Sequence, residues 1–298
     1  MTARRLPALL RPDVDLATVK EVRWGGRRLA ARLGTHAASF QGRPIGELWQ
    51  FSTLPGRESA ALGRPLGALL GAPLPFLAKL IDTALPLSVQ VHPGDRPDPA
   101  RPGALLPGKE EAWVILAADP GARLWAGTRP GVTRDDLARA AADGTVLTCL
   151  EEHVAEPGLI VLVPAGCVHA IGGGLLLAEL QQPADCTYRL YDYGSGRPLH
   201  VDAALAALDP AVRPALARPG DAHVGLRGVH VHLERLGPGD HARDLATPTL
   251  LVGVRETARA RADASELALA PGELVLALRG PLRLHVPAGG LVALGCVD

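Results

Sequence analysis

Lysine is scarce in this 298-residue chain: of 31 Lys plus Arg, the lysines are only Lys20, Lys79 and Lys109. Almost every ordinary surface cation is arginine, so a lysine inside a motif calls for a chemical reason. Net charge is also lacking, because 31 acidic residues balance the bases and no dense basic run occurs. That excludes a nucleic-acid footprint. No uninterrupted apolar span approaches membrane length, and the short apolar stretch near Met1 reads as too brief for a signal peptide. Cys149, Cys167, Cys186 and Cys296 lack close paired spacing, which suits thiols in a reducing compartment better than a disulfide framework. The expectation is a cytoplasmic protein with neither nucleic acid nor membrane as partner.

What is present begins with Gln90 and His92 in Ser-Val-Gln-Val-His-Pro. Alternate side chains of a strand share a face, so this spacing aims an amide oxygen and an imidazole at one point. Glu111 and His169, on further strands, would complete a set of one neutral oxygen, two neutral nitrogens and one carboxylate around a divalent ion such as zinc. Such a site stays cationic and can stabilise a developing oxyanion. Any one of these residues alone reads more simply as a structural strand residue.

Short apolar runs at Trp113–Leu116, Leu159–Val163, Gly174–Leu180 and Leu274–Leu278, bounded by Gly and Pro, predict strands joined by tight turns. Helical periodicity is confined to Thr133–Ala142, with Thr133 as N-cap, and Val201–Leu208. A Pro-, Ala- and Arg-rich stretch, Asp209–Gly225, reads as a connector between residues 1–210 and a stranded C-terminal part, 211–298.

The ligands sit within a longer series: Lys79-Leu-Ile-Asp, Leu87-Ser-Val-Gln-Val-His-Pro-Gly-Asp, Gly108-Lys-Glu-Glu-Ala-Trp, Pro164-Ala-Gly-Cys-Val-His-Ala-Ile-Gly, and Glu179 through Tyr193. With Trp24-Gly-Gly-Arg-Arg-Leu and Ile45-Gly-Glu-Leu-Trp upstream, the series covers roughly the first two thirds of the chain. In order and spacing it resembles the type I mannose-6-phosphate isomerases in their short bacterial form. The resemblance implies a mainly β fold of two cupin-type (jelly-roll) β-barrels with a few short helices, the first catalytic and metal-binding. It implies one Zn2+ per chain, or another divalent metal, held by Gln90, His92, Glu111 and His169. Phosphate recognition is implied at Lys79, Ser88 and Lys109, and a compact ammonium suits a phosphate as a point charge.

The implied reaction interconverts mannose 6-phosphate and fructose 6-phosphate through a cis-enediol, within carbohydrate and mannose metabolism. One base must take a proton beside the carbonyl and return it to the neighbouring carbon. Glu179 can do this if partly desolvated, while Arg189 stabilises the enediolate oxygens and Asp185 assists ring opening. Two departures from the family pattern are Gln50, where Glu is common, and Ser195–Arg197, where a basic residue usually lies closer to Tyr-Asp-Tyr. The alternatives are a non-catalytic phosphosugar-binding cupin and a cupin iron oxygenase. Two weaker constellations are His230 and His232 with His241 as a second metal site, and Cys167 with His169 as a nucleophile and its base.

Overall fold

Leu175–Gln181 carries apolar residues on both faces, the pattern of a strand covered on both sides. In the computed structural model, which describes residues 6–221 and 224–298, it is the middle strand of a seven-stranded sheet. The strand order is Ala215–Ala217, Ile160–Val163, Glu111–Ala118, Leu175–Gln181, Leu77–Thr83, Val19–Gly26 and Ile45–Phe51. One face, with Ile81, Trp113, Ile115, Leu175 and Leu177, packs on a five-stranded sheet through Leu124, Ala126 and Ile171. The other face, with Leu80, Val114, Leu162 and Leu180, packs on a six-stranded sheet through Val231, Leu233, Val252 and Ala293.

The five-stranded sheet runs Leu150–Val154, Arg123–Thr128, His169–Ile171, Val89–Val91, Tyr188–Tyr191. Its outer face, including Val89, Val91 and Ala170, is covered by Leu137 and Ala141 of the helix Arg134–Asp143 and by Ala204 of the helix Val201–Ala207. Thr133 caps the first of these helices in a reciprocal capping box with Asp136. On the far side, the six-stranded sheet packs on a four-stranded sheet through Leu251, Val275, Ala260 and Leu284. The whole is a mainly β stack: helices, then sheets of five, seven, six and four strands.

The stretch expected to be a plain connector is part of this stack. Ala215–Ala217 pairs with Ile160–Val163 as the edge of the seven-stranded sheet, because Ala217 finds an apolar place in the core beneath it. Residues 222–223 of that stretch, and residues 1–5 at the start, lie outside the described residues. Leu9–Leu10 pairs with Ala277 and Leu276, so the first described strand belongs to the sheet built mainly by the last residues of the chain. No helix among the described residues is long and apolar enough to cross a membrane.

Candidate metal centre

The site forms between the seven- and five-stranded sheets, where strand alternation directs polar side chains inward. Glu111 starts its strand on the face that also carries Trp113 and Ile115. Opposite, His169 pairs directly with Gln90, so both side chains leave the same face of the five-stranded sheet. His92 follows two residues after Gln90. The ligand atoms of His92, Glu111 and His169 lie within 4.8 Å of one another, and all three residues are buried. His92 Nε2 is 3.3 Å from Glu111 Oε2, and His169 Nε2 is 3.4 Å from Glu111 Oε1.

Both imidazoles are oriented from behind. His92 Nδ1 is 2.9 Å from the Cys186 carbonyl and His169 Nδ1 is 3.0 Å from the Cys167 carbonyl. Each carbonyl can only accept, so Nδ1 carries the proton and Nε2 presents a lone pair to the cluster. Burial holds the His169 imidazole down to about 4, and burial together with the Lys109 ammonium lowers His92, so both are neutral at pH 7. Burial pushes the Glu111 carboxyl upward, but the Lys109 ammonium against it outweighs that cost and holds it well below the ordinary range.

This donor set fits a divalent cation. Among the described residues Glu111 Oε1 is buried with no hydrogen-bond partner, and a buried carboxylate oxygen without a partner is costly unless a cation meets it. The Lys109 ammonium already shows where positive charge is favoured: it lies 2.9 Å from His92 Nε2 and donates to Glu111 Oε2. Gln90 turns its amide nitrogen to His169 Nε2 at 3.1 Å while Ser88 Oγ donates to Gln90 Oε1 at 3.3 Å. Rotating that amide would present Oε1 to the cluster.

From the candidate ligands an alternating ladder of charges runs outward. Lys109 lies 3.7 Å from Glu179 Oε1, and Lys79 lies 2.8 Å from the same oxygen. Lys79 continues to Glu47 at 3.8 Å, and Glu47 to Lys20 at 3.3 Å. At the outer end Lys20 is 3.8 Å from the exposed Asp185. All three lysines of the chain therefore share one network. Strand register builds it: Glu179 pairs with Lys79, and Lys79 with Trp49. Trp113 Nε1 donates to Glu179 Oε2, and Trp49 Nε1 to Glu47. Burial works against the Lys79 charge, yet Glu179 and Glu47 outweigh it and raise its pKa. Burial likewise opposes the Glu47 charge, but Lys79 and Lys20 bring its carboxyl down to about 2.

The motif residues thus occupy three zones. Gln90, His92, Glu111 and His169 meet at the centre, with Lys109 against them. Lys79, Ser88 and Glu179 lie buried beside it. Arg189 and Asp185 belong to the rim: Arg189 pairs in register with Gln90, but its guanidinium donates to the Pro198 carbonyl at 3.2 Å. Arg197 is held by Asp192 through contacts of 2.6 and 2.7 Å. Gln50 faces away, lining a cavity with Leu48 and Leu80 on the opposite side of its sheet.

Lys20 and Glu47 join the network without having been singled out as site residues; the scarcity of lysine was the available signal. The competing constellations do not assemble. His230 bonds toward Asp95, His232 toward Asp298 and His241 toward the Gly237 carbonyl. Cys167 is buried, and burial drives its thiol up to about 12, the wrong direction for a nucleophile.

No protein-family model matches the chain. Among curated proteins, a mannose-6-phosphate isomerase of Streptococcus mutans is 32% identical over 231 residues, covering 69% of this chain and 69% of the relative. The mannose-6-phosphate isomerase ManA of Bacillus subtilis is 31% identical over 212 residues, covering 64% and 65%. Among solved structures, a mannose 6-phosphate isomerase from Bacillus subtilis superimposes with a TM-score of 0.70 at 21% identity, over 96% of this chain and 98% of that one. This likeness places the fold with that of its neighbour, in accord with the expected cupin-type architecture.

Proposed function

The chain belongs to the mannose-6-phosphate isomerase family, and from that premise we propose that it interconverts mannose 6-phosphate and fructose 6-phosphate as a metal-dependent aldose–ketose isomerase. The observation that carries this reading is the buried His92–Glu111–His169 cluster, with both imidazoles fixed from behind. In this reading Gln90, His92, Glu111 and His169 hold one zinc ion, or another divalent metal. When bound, the metal supplies Lewis-acid polarisation of the substrate's oxygens.

The chain's own residues do the rest. Lys79, Ser88 and Lys109 receive the phosphate. Lys79 and Lys109 now share Glu179 Oε1, so a phosphate that takes over both ammoniums frees that carboxylate oxygen. Glu179 then removes the proton from C2 of the open-chain aldose and returns it to C1, while Trp113 Nε1 keeps its other oxygen in place. Return from the same face of the substrate is what a cis-enediol requires of a single base. Arg189 leaves the Pro198 carbonyl to hydrogen-bond the enediolate oxygens, and Asp185 at the rim assists ring opening. We take residues 1–210 as the catalytic unit and 211–298 as a second cupin-like unit: the buried core between the five- and seven-stranded sheets comes from residues before 210, and the core between the six- and four-stranded sheets comes mainly from residues after it, with Ala8 and Leu9 joining from the start of the chain. Four unpaired cysteines support a cytoplasmic location.

The test is a coupled assay of mannose 6-phosphate conversion on purified protein, after chelation and again after zinc is restored, with bound metal counted in parallel. Activity that is lost and regained with the metal is the expected result. No turnover at full metal occupancy would refute the isomerase reading.

A further inference from the structure

We infer that Glu110 is a positioning residue through which the C-terminal part of the chain sets the geometry of the metal ligands. This inference rests on the metal-centre reading above and adds to it a role for the second domain.

Alternation sends Glu110 out of the face that Glu111 enters, and the side chain that emerges is buried and acidic. Among the described residues no cation pairs with it. Its carboxylate instead accepts three backbone N–H groups from a single turn of the C-terminal part: Val229 at 3.1 Å, His230 at 2.9 Å and Val231 at 2.7 Å. Consecutive amides converging on one anion form a nest that replaces lost hydration. Gly228 completes it, since a Cβ there would overlap the Glu110 carboxylate. A buried carboxylate held this way costs too much to be incidental packing, because withdrawing it strands three donors as well as the charge.

The same turn grips the other ligand-bearing segment. His230 Nε2 is 3.2 Å from Asp95 Oδ2, while Asp95 Oδ1 accepts from the Gly108 amide and from Gln182 Nε2. Gln182 also bonds the Glu110 backbone on both sides, and the Lys109 amide donates to the Pro93 carbonyl. Glu111 and His92 are thereby tied, each one or a few residues away, to residues 228–231. Partners behind metal ligands commonly control affinity by about 10- to 100-fold.

The experiment measures zinc affinity of the full-length protein by competition with a chromophoric chelator, for wild type, His92→Ala, Glu110→Gln and Gly228→Ala, each first shown to be folded. The inference expects Glu110→Gln and Gly228→Ala each to weaken zinc binding about tenfold or more, and the visible spectrum of the cobalt-loaded protein to shift with them. It also expects Gly228→Ala to add no further loss in a Glu110→Ala background, since its effect runs through that carboxylate. A purely structural clamp would lower the melting temperature and leave the affinity of the folded protein and the cobalt spectrum unchanged, which would overturn the inference. Should Glu110→Gln fail to fold, Glu110→Asp is judged by the same criterion. If His92→Ala binds zinc as tightly as wild type, the metal-centre reading itself falls; if His92→Ala alone loses zinc, only the role of Glu110 does.

Discussion

The charge ladder can be tested by breaking it at Lys79. This ammonium is 2.8 Å from Glu179 Oε1, and the two side chains are 7% and 3% exposed. At an effective dielectric of about 20, their attraction is about 6 kcal/mol before desolvation is counted. Most of that offsets the loss of hydration, so the pair's net contribution is small. Removing one partner is another matter, because it leaves the other buried and charged, at a cost of about 3–5 kcal/mol. Lys79→Met should have this effect: Glu179 keeps only Lys109 at 3.7 Å, and Glu47 keeps Lys20. With an unfolding entropy of ~2.1 cal/mol/K per residue, a chain of 298 residues should melt about 5–8 °C lower. Glu179→Gln should cost less, since Lys79 retains Glu47 at 3.8 Å. The double variant should be more stable than the two single losses added together, by about 1–3 kcal/mol. Thermal melts followed by circular dichroism on chelator-treated protein supply these values without a contribution from bound metal. Single shifts below about 2 °C that add in the double variant would show that the ladder carries no coupling, and the reasoning would fail.

Three further outcomes follow from the same geometry. Glu47, lowered from 4.5 to about 2, should contribute stability that is present above pH about 4.5 and lost as pH falls toward 2, because the unfolded chain binds the proton first. Denaturant unfolding of wild type and Glu47→Gln should therefore converge as pH falls through that window; parallel curves would contradict the assignment. Cys167, buried with its thiol pushed up to about 12, should resist iodoacetamide at pH 8 in the folded protein and react once it is unfolded, as read by peptide mass. Arg189→Lys should lower kcat by about 100-fold with metal content and KM little changed, whereas an unaltered kcat would remove Arg189 from the chemistry.

Much of the centre was legible because it depends on local rules. The two-residue spacing of Gln90 and His92 puts them on one face of any strand they occupy, and the turn residues around Val89–Val91 leave a strand as the natural local form. Alternation likewise places Glu111 with Trp113 and separates Glu110 from both. The Thr133 cap and the helix it starts needed only neighbouring residues. The strand Ala215–Ala217 inside the expected connector is not legible in the sequence, because three residues are too short to show a period and only the open edge of Ile160–Val163 makes them a strand.

Residue order alone dictates which side chains can act together within each strand, and the three lysines mark where an ammonium stands against a background of arginine. Tertiary structure decided which strands became neighbours and in what register. The pairing of Glu179 with Lys79 and of Lys79 with Trp49 brought Lys20 and Glu47 into the network, although neither belongs to a ligand motif. The same holds for Glu110: alternation sends it outward, but only the packing of the two halves brings the amides of Val229, His230 and Val231 to meet it. Side-chain direction is a property of the strand, whereas the partner found in that direction depends on long-range register and sheet packing, which no local pattern encodes.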